Sequence, residues 1–354
     1  MKAKETKKSA NFKKLEKKIL SQKIRLFLHL GPHKTGTTQI QTYLHENYSK
    51  LKARGIYYRP IQPSTALVTP SHCDLIKQIE NASLVKLEGE DSNPGEFSSL
   101  ADYIEKTIMN YPDINTFIIS SEQLVNWDIE RLKLEIELIN TRLSLDISLI
   151  YTHRDTKSHL KSLVKESLVW AELDDKKSVA DNMLELCSTN DISPLYLQRL
   201  SEICSDAECS LHILELNAPN HKDNEFYLLE EFMGLVLYKD TDFEYNFHEC
   251  QFDENPGKSN FFLYISLLFS RSISEIWPDE WGAKERQWVS NRLVRLLETA
   301  AQASNLEREL EAEEAYATIT DLCESTLENT IAKHQQLFDL IDDVKKSIVQ
   351  KIQQ

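Results

Sequence analysis

The amino-acid sequence predicts an α/β protein with a doubly wound, mainly parallel sheet of about five strands and a helical C-terminal extension. Short β-branched and aromatic segments alternate with amphipathic helical patterns through the first two thirds of the chain, as in parallel sheets wrapped by helices. A glycine-containing turn follows the first of these segments. Beyond about residue 259 the pattern becomes wholly helical.

The predicted elements follow one another in chain order. Residues 24–30 (IRLFLHL) form a buried first strand that runs through the turn into an amphipathic helix from about Thr37 to Arg54. Residues 55–59 (GIYYR) form a short second strand. The remaining strands are predicted at residues 115–120, 146–152 and 210–216, with a helix near residues 100–110 before the third.

Two segments are less regular. Prolines, serines and polar clusters dominate residues 60–94, which we expect to be a long, loop-rich and functional segment. In the tail, residues 260–274 are apolar enough for a core helix. A heptad seam, interrupted by His334 and Lys345, predicts either a helix packed on its own domain or a dimerising coiled coil; its members are Ile331, Phe338, Ile341, Ile348 and Ile352.

Charge and pattern divide the chain into three parts. Residues 1–23 hold nine Lys and two Glu, which predicts a solvated, flexible arm or a weak anchor for an anionic surface. Residues 24–258 form the predicted α/β domain, and residues 259–354 the helical extension. The formal net charge of −15 argues against general nucleic-acid binding, which needs a basic face, but allows a small phosphorylated ligand.

The sequence favours a cytosolic protein. The longest apolar run, near residues 261–269, is far shorter than the ~20 residues that span a bilayer. Arg25 and His29 interrupt the apolar segment that follows the Lys-rich start, unlike the core of a signal peptide. The six cysteines form no CxxC pair and no zinc-binding pattern, so we expect reduced thiols.

The most informative motif is LHLGPHKTGTT at residues 28–38, where a strand ends, a tight loop follows and a helix begins. The free N–H groups and the dipole of a helix start favour an anion in such a loop. Thr37 and Thr38 add hydroxyl donors, and Lys34 adds a positive charge. The motif therefore predicts an anion site.

The spacing of this motif differs from that of the nucleoside-triphosphatase loop, in which Lys follows the second Gly. Here Lys34 precedes Gly36, and Thr37 occupies the position of the usual lysine. The later strands end in Ser-Ser-Glu (residues 120–122) and His-Arg-Asp (residues 153–155), so a magnesium-binding Asp at a strand end is not evident. A metal-dependent kinase is thus disfavoured.

The loop Gly31-Pro-His-Lys34-Thr-Gly36-Thr37-Thr38 resembles the 5′-phosphosulfate-binding loop of sulfotransferases that use 3′-phosphoadenosine 5′-phosphosulfate (PAPS), whose pattern is roughly P-K-[ST]-G-T-T. The family also has an Arg at a later strand end with a Ser eight residues on, which Arg154 and Ser162 match. A Gly-Ile-Tyr-Tyr strand, His72 and an Ile-Ser-Ser-Glu strand end follow in the order of bacterial members. The resemblance covers about residues 24–240.

The resemblance implies a P-loop-like fold and PAPS as co-substrate, with no metal. Lys34 would stabilise charge on the bridging oxygen of the leaving nucleotide. Arg154 and Ser162 would hold the 3′-phosphate, since an Arg fork suits a phosphate dianion. The residues implied to contact the 5′-phosphosulfate are Gly31, Lys34, Thr35, Gly36, Thr37 and Thr38.

A base must take the proton of the acceptor. Glu122 follows a predicted strand, and ligands bind at the carboxyl ends of strands in open α/β sheets. His33 and His153 also lie at strand ends and are alternative bases. His72 is either a contact to acceptor or nucleotide or a packing residue. Residues 255–259 (NPGKS) either bring Gly257 and Lys258 to the 3′-phosphate or form an ordinary turn.

The function that the resemblance implies is that of a PAPS-dependent sulfotransferase. The alternatives are a P-loop NTPase or kinase, and a non-catalytic nucleotide-binding scaffold. Residues 60–94 and 170–188 are expected to select the acceptor, for which a glycan, a lipid head group, a small alcohol or phenol and a peptide tyrosine all stay open. A homodimer through the C-terminal helices is a further possibility.

Overall fold

The computed structural model describes residues 24–59, 71–88, 97–170, 186–187, 189–216, 226–237, 328–329 and 331–353. The chain divides into two compact units. The first contains residues 1–154, 194–252 and 345–354, and the second contains residues 155–193 and 253–344. The predicted arm at residues 1–23, the predicted helix at 260–274 and the predicted domain boundary near 258 lie outside the described residues.

The first unit is built on a five-stranded, all-parallel sheet with the order β2-β3-β1-β4-β5. The α/β class predicted from the sequence, with about five strands, is confirmed. In register, Leu28 of the central strand lies beside Ile119 on one side and Leu149 on the other. The strands are β1 (Arg25–Leu30), β2 (Ile56–Tyr57), β3 (Thr116–Ser120), β4 (Asp146–His153) and β5 (Ser210–Glu215).

Helices connect these strands. Most belong to the first unit, whereas α7 belongs to the second and α10 is divided between them. The described helices are α1 (Thr37–Glu46), α2 (Tyr48–Ala53), α3 (Cys73–Glu88), α4 (Leu100–Asn110), α5 (Gln123–Asn126), α6 (Ile129–Leu143), α7 (Thr156–Trp170), α8 (Pro194–Asp206), α9 (Tyr227–Leu237) and α10 (Gln335–Gln353).

The sheet is covered on both faces, because side chains alternate along each strand. Leu26, Leu28 and Leu30 of β1 face a layer formed by α3, α4, α6 and α8. Phe27 faces the opposite layer, formed by α1, α2 and α9. These leucines are fully buried, and full burial of one such side chain contributes about 1.5–3 kcal/mol. The central strand β1 is therefore held firmly in place.

One expected helix is divided. The pattern over residues 37–54 predicts a single helix, but α1 ends at Glu46 and α2 begins at Tyr48. Between them, the side chain of Asn47 donates a hydrogen bond of 3.1 Å to the carbonyl of Tyr43. Short polar side chains compete in this way with regular helix hydrogen bonding.

The expectation of a loop through residues 60–94 is wrong for its central part. Helix α3 occupies Cys73–Glu88. Leu75, Ile76 and Ile79 lie on its buried side at helical spacing. The polar residues between them, whose composition suggested a loop, belong to a helix with one solvated side. Residues 60–70 and 89–96 lie outside the described part of the chain.

The heptad seam is buried against the chain itself. In the second unit, Ile331, Phe338 and Ile341 pack in a cluster with Leu160 and Leu163 of α7. In the first unit, Ile348 packs against the main core, and the neighbouring Lys345 is only 1% exposed. The packing of these residues agrees with the first of the two predicted arrangements, a helix packed on its own chain. A homodimer stays a prediction.

The sequence predicts that the protein lacks a membrane span and has reduced thiols. Within the described segments, no helix combines the length and the apolar character needed to cross a bilayer. The four cysteines in the described part, Cys73, Cys187, Cys204 and Cys209, are free thiols. The cytosolic location stays a prediction.

Candidate functional site

The carboxyl ends of β1, β3 and β4 lie side by side at the same end of the sheet. After β1 the chain continues towards the outer strand β2, whereas after β3 and β4 it continues towards the outer strand β5. Such a reversal opens a crevice at the ends of adjacent strands, where open α/β sheets bind ligands. The loop of residues 31–36 begins at the end of β1 and therefore borders this crevice.

Two glycines give this loop its shape. A Cβ atom at Gly31 would lie 1.7 Å from Cγ2 of Thr37, so only glycine lets the strand end approach the start of α1 this closely. Gly36 has φ +82° and precedes α1 in the left-handed conformation. The first turn of α1 carries no acidic residue of its own that would repel an anion at the start of the helix.

Thr35 braces the loop from inside. Its hydroxyl donates a hydrogen bond of 2.6 Å to the carbonyl of Pro32 and lies 2.8 Å from the hydroxyl of Thr152 on β4. Thr35 and Thr152 are fully buried. A contact from Thr35 to an anion would therefore use its backbone N–H rather than its hydroxyl.

Lys34 and Arg154, both predicted site residues, lie together. The Arg154 guanidinium donates a hydrogen bond of 2.9 Å from Nη1 to the carbonyl of Lys34. Lys34 has φ +64°, a conformation that non-glycine residues rarely adopt and that clusters at functional sites. The end of β4 thus holds the loop that follows β1.

Glu122, the predicted base, contacts the first residue of α1. Its Oε1 accepts a hydrogen bond of 2.7 Å from the hydroxyl of Thr37, the first residue of α1. Its Oε2 lies 3.9 Å from the sulfur of Cys73 at the start of α3. Glu122 is half-buried and follows β3 directly before α5. The Thr37 hydroxyl, a predicted donor to the anion, is therefore bonded to the carboxylate of Glu122.

A buried polar network, not predicted from the sequence, lies behind this contact. Its centre is the hydroxyl of Ser120, 2.8 Å from Nδ1 of His29 and 3.1 Å from Nε2 of Gln41 on α1. His72 donates its backbone N–H to the carbonyl of Ser120 at 2.8 Å, and its Nδ1 accepts from the N–H of Ser120 at 3.3 Å. The network fixes the end of β3 relative to α1.

Both histidines of the network are neutral. Burial lowers the pKa of His29 to about 3 and that of His72 to about 3. Because Ser120 donates its N–H to Nδ1 of His72, the ring proton of His72 lies on Nε2. His72 follows the packing alternative, since it is fully buried against the ring of Tyr58.

Tyr58 completes the wall beside Glu122. Burial, and then the charge of the Glu122 carboxylate, raise the pKa of Tyr58 well above its usual value. The phenol is therefore neutral at all physiological pH values. A polar strand-end residue in an otherwise apolar segment, such as Ser120 or Thr152, is the sequence signal that could have identified these neighbours.

The other predicted residues differ in position. Thr38 is exposed at the start of α1, and His33 is half-buried in the loop. His153 ends β4, and its carbonyl accepts a 2.6 Å hydrogen bond from the N–H of Leu216. Ser162 is half-buried on α7 of the second unit. Its predicted partnership with Arg154 stays a prediction, and Gly257 and Lys258 lie outside the described residues.

Within the described ranges, no group of three or more His, Cys, Asp or Glu side chains is arranged to hold a metal ion. Compared with known proteins, the chain matches no protein-family model, no curated protein and no solved structure. A functional proposal therefore depends on the geometry at the carboxyl ends of β1, β3 and β4.

Proposed function

We propose that the protein is a PAPS-dependent sulfotransferase, which transfers a sulfuryl group to a hydroxyl or amine and releases 3′,5′-ADP. One observation carries the proposal: at three adjacent strand ends, an arginine and a carboxylate each contact the glycine-containing segment that leads from β1 into α1. Arg154 bonds to the carbonyl of Lys34, and Glu122 bonds to Thr37. These are the components that sulfuryl transfer requires.

The proposed chemistry assigns one task to each component. The loop N–H groups and the start of α1 bind the 5′-phosphate of the donor. Lys34 stabilises the negative charge that develops on the bridging oxygen as the S–O bond breaks. Arg154, already bound to the loop through Nη1, offers further N–H groups to the 3′-phosphate.

The bond between Thr37 and Glu122 adds an order to these events. A threonine hydroxyl can donate one hydrogen bond, and in this structure Glu122 accepts the hydrogen bond from Thr37. A phosphate that accepts this hydrogen bond must displace Glu122. The carboxylate then becomes available to accept the proton of the sulfuryl acceptor. Donor binding would in this way prepare the base.

Calorimetric titration with 3′,5′-ADP and with Mg·ATP tests the proposal against its alternatives. Tight binding of 3′,5′-ADP alone supports a sulfotransferase, tight binding of Mg·ATP supports a nucleoside triphosphatase or kinase, and binding of neither supports a scaffold. Lys34→Ala is the matched variant for the loop. Lys133→Ala, which removes a surface ion pair with Asp206, is its control.

Activity is tested with labelled PAPS over a panel of glycans, lipids, phenols and tyrosine peptides, each followed by the mass of the product. Because Lys34 rather than a metal is assigned to charge stabilisation, transfer should survive excess EDTA. An absolute requirement for magnesium would contradict the proposal and favour the kinase alternative.

A further inference from the structure

The C-terminal end of α8 has a distinctive geometry. The helix ends at Asp206, and Glu208 adopts the left-handed conformation with φ +53°. The N–H of Cys209 then donates a hydrogen bond of 3.0 Å to the carbonyl of Cys204. A bond between residues five apart, closed by a left-handed residue, characterises a Schellman cap, in which these two positions face each other.

In this cap the facing residues are both cysteines, and Cys209 packs against the core cluster that contains Cys204. With standard bond lengths, the 3.0 Å bond keeps the two Cα atoms less than about 7 Å apart. That separation falls within the range that a disulfide spans. The neighbouring Cys204 lowers the pKa of the Cys209 thiol.

Access to the pair differs between its members. Cys204 is 6% exposed, whereas Cys209 is half-buried. Both line an open groove of about 860 Å³ beside β5, which His212 and Gly234 also border. A small molecule in the groove would therefore meet Cys209 first, with Cys204 directly behind it.

We propose that Cys204 and Cys209 form a dithiol site that low-molecular-weight disulfides oxidise to an intramolecular disulfide. The thiolate of Cys209 attacks one sulfur of the small disulfide, forms a mixed disulfide and releases one thiolate. Cys204 then loses its proton, attacks the sulfur of Cys209 and releases the second thiolate. Two protein thiols are oxidised, one small disulfide is reduced to two thiols, and the protein protons pass to those thiolates.

The roles of the two cysteines follow from the geometry. Cys209 is the more accessible thiol and the one whose thiolate is stabilised by its neighbour. Cys204 is the resolving thiol, since it is buried and its carbonyl accepts the hydrogen bond from the N–H of Cys209. In a reducing compartment, such a pair is the type of disulfide that forms transiently and senses redox state.

The full-length protein with oxidised glutathione provides the test. After blocking of the remaining thiols and digestion with trypsin, the peptide of residues 200–222 contains both cysteines. We expect it to lose two hydrogens and to resist alkylation. Cys204→Ser should instead accumulate a glutathione adduct at Cys209. Cys209→Ser should form the adduct at Cys204 at least ~10-fold more slowly, since that thiol is buried.

Three results would overturn the inference: a lasting glutathione adduct on Cys209 of the wild-type protein, a disulfide from either residue to another cysteine, or full alkylation of both after oxidation. Cys204→Ala serves as the second variant if a buried hydroxyl prevents folding, which a melting curve reports. Because the readout is peptide mass, the result is independent of the proposed sulfotransferase activity.

Discussion

Thr37 and Glu122 are joined by a hydrogen bond of 2.7 Å, although 85 residues separate them in the sequence. The bond ties the first turn of α1 to the end of β3. It therefore connects the group proposed to hold the donor phosphate with the group proposed to accept a proton.

Replacement of Glu122 by Gln tests the base. The amide oxygen of Gln can still accept the hydrogen bond from the Thr37 hydroxyl, so the loop should keep its geometry and its affinity for 3′,5′-ADP. Turnover should fall by roughly 10²–10⁴ because the amide cannot take a proton. Steady-state rates and calorimetry measure the two effects, with Glu130→Gln on the exposed side of α6 as control. Unchanged turnover would transfer the role to His33 or His153, which single His→Asn variants would distinguish.

Lys34 and Arg154 should differ in the kinetic step that they affect. The 3′-phosphate is present in donor and product, so Arg154→Ala should weaken 3′,5′-ADP binding by about 1.5–3 kcal/mol, or roughly 10- to 150-fold. Lys34→Ala should lower turnover by ~10²–10³ at any donor concentration. Because Arg154 also holds the carbonyl of Lys34, Arg154→Ala should recover most, not all, of its rate at saturating donor.

Titrations with 3′,5′-ADP and initial rates over a range of donor concentrations measure both variants. Lys133→Ala should resemble the wild type in both assays. A reversed pattern, with Lys34→Ala affecting binding and Arg154→Ala affecting turnover alone, would show that the two roles are wrongly assigned.

Gly31 and Thr37 should be coupled in stability. Gly31→Ala places a Cβ atom 1.7 Å from Cγ2 of Thr37, which forces the loop away from α1. We expect a loss of about 1–3 kcal/mol in the free energy of unfolding, as for other overpacked sites. Thr37→Ser removes the clashing methyl group and keeps the hydroxyl. The double variant should therefore regain part of the loss in urea unfolding, whereas purely additive effects would contradict the packing explanation.

The two buried histidines predict a dependence of stability on pH. The unfolded chain binds a proton at each histidine below about pH 6.5, whereas the folded protein does so only near pH 3. The contribution of the two neutral histidines to the free energy of unfolding is therefore complete above about pH 6.5, and it is lost as the pH falls from there towards 3. Each histidine should contribute a slope of about 1.4 kcal/mol per pH unit in that window.

Urea unfolding between about pH 7.5 and 5 measures this slope. His72→Asn keeps an acceptor for the N–H of Ser120 and should make the slope shallower by the share of one histidine. His45→Asn, near the end of α1, is the control. An unchanged slope in His72→Asn would mean that His72 does not govern the acid sensitivity.

The parts of the fold that depend on local pattern could be predicted from the sequence. The apolar strands and the Gly31–Thr38 turn were found because each carries its signal within a few consecutive residues. Helix α3 replaces part of the predicted loop because its polar side has the composition of a loop, although Leu75, Ile76 and Ile79 are spaced as in a helix. Ser120 was missed as the centre of a network because its partners, such as His29, lie as many as 91 residues away.

The site shows the same distinction. The family resemblance implied roles for Lys34 and Arg154, and the position of Glu122 after a predicted strand made it the candidate base, because ligands bind at the carboxyl ends of strands in open α/β sheets. Spacing did not reveal that the hydroxyl of Thr35 points into the loop, since that direction depends on Thr152, 117 residues later.

The order of strands has a consequence for synthesis on the ribosome. The central strand β1 is made first, yet both of its neighbours are made much later: Arg25 lies beside Thr116 of β3 and Asp146 of β4. At about 5–20 residues per second, β1 waits several seconds for its first partner. During that time β1, an apolar strand that will lie in the middle of the sheet, has neither of its partner strands, and holdase chaperones would bind it in that state. The loop of residues 31–36 is braced only once Thr152 of β4 and Arg154, the residue after β4, have been made, so it is completed long after its own residues emerge.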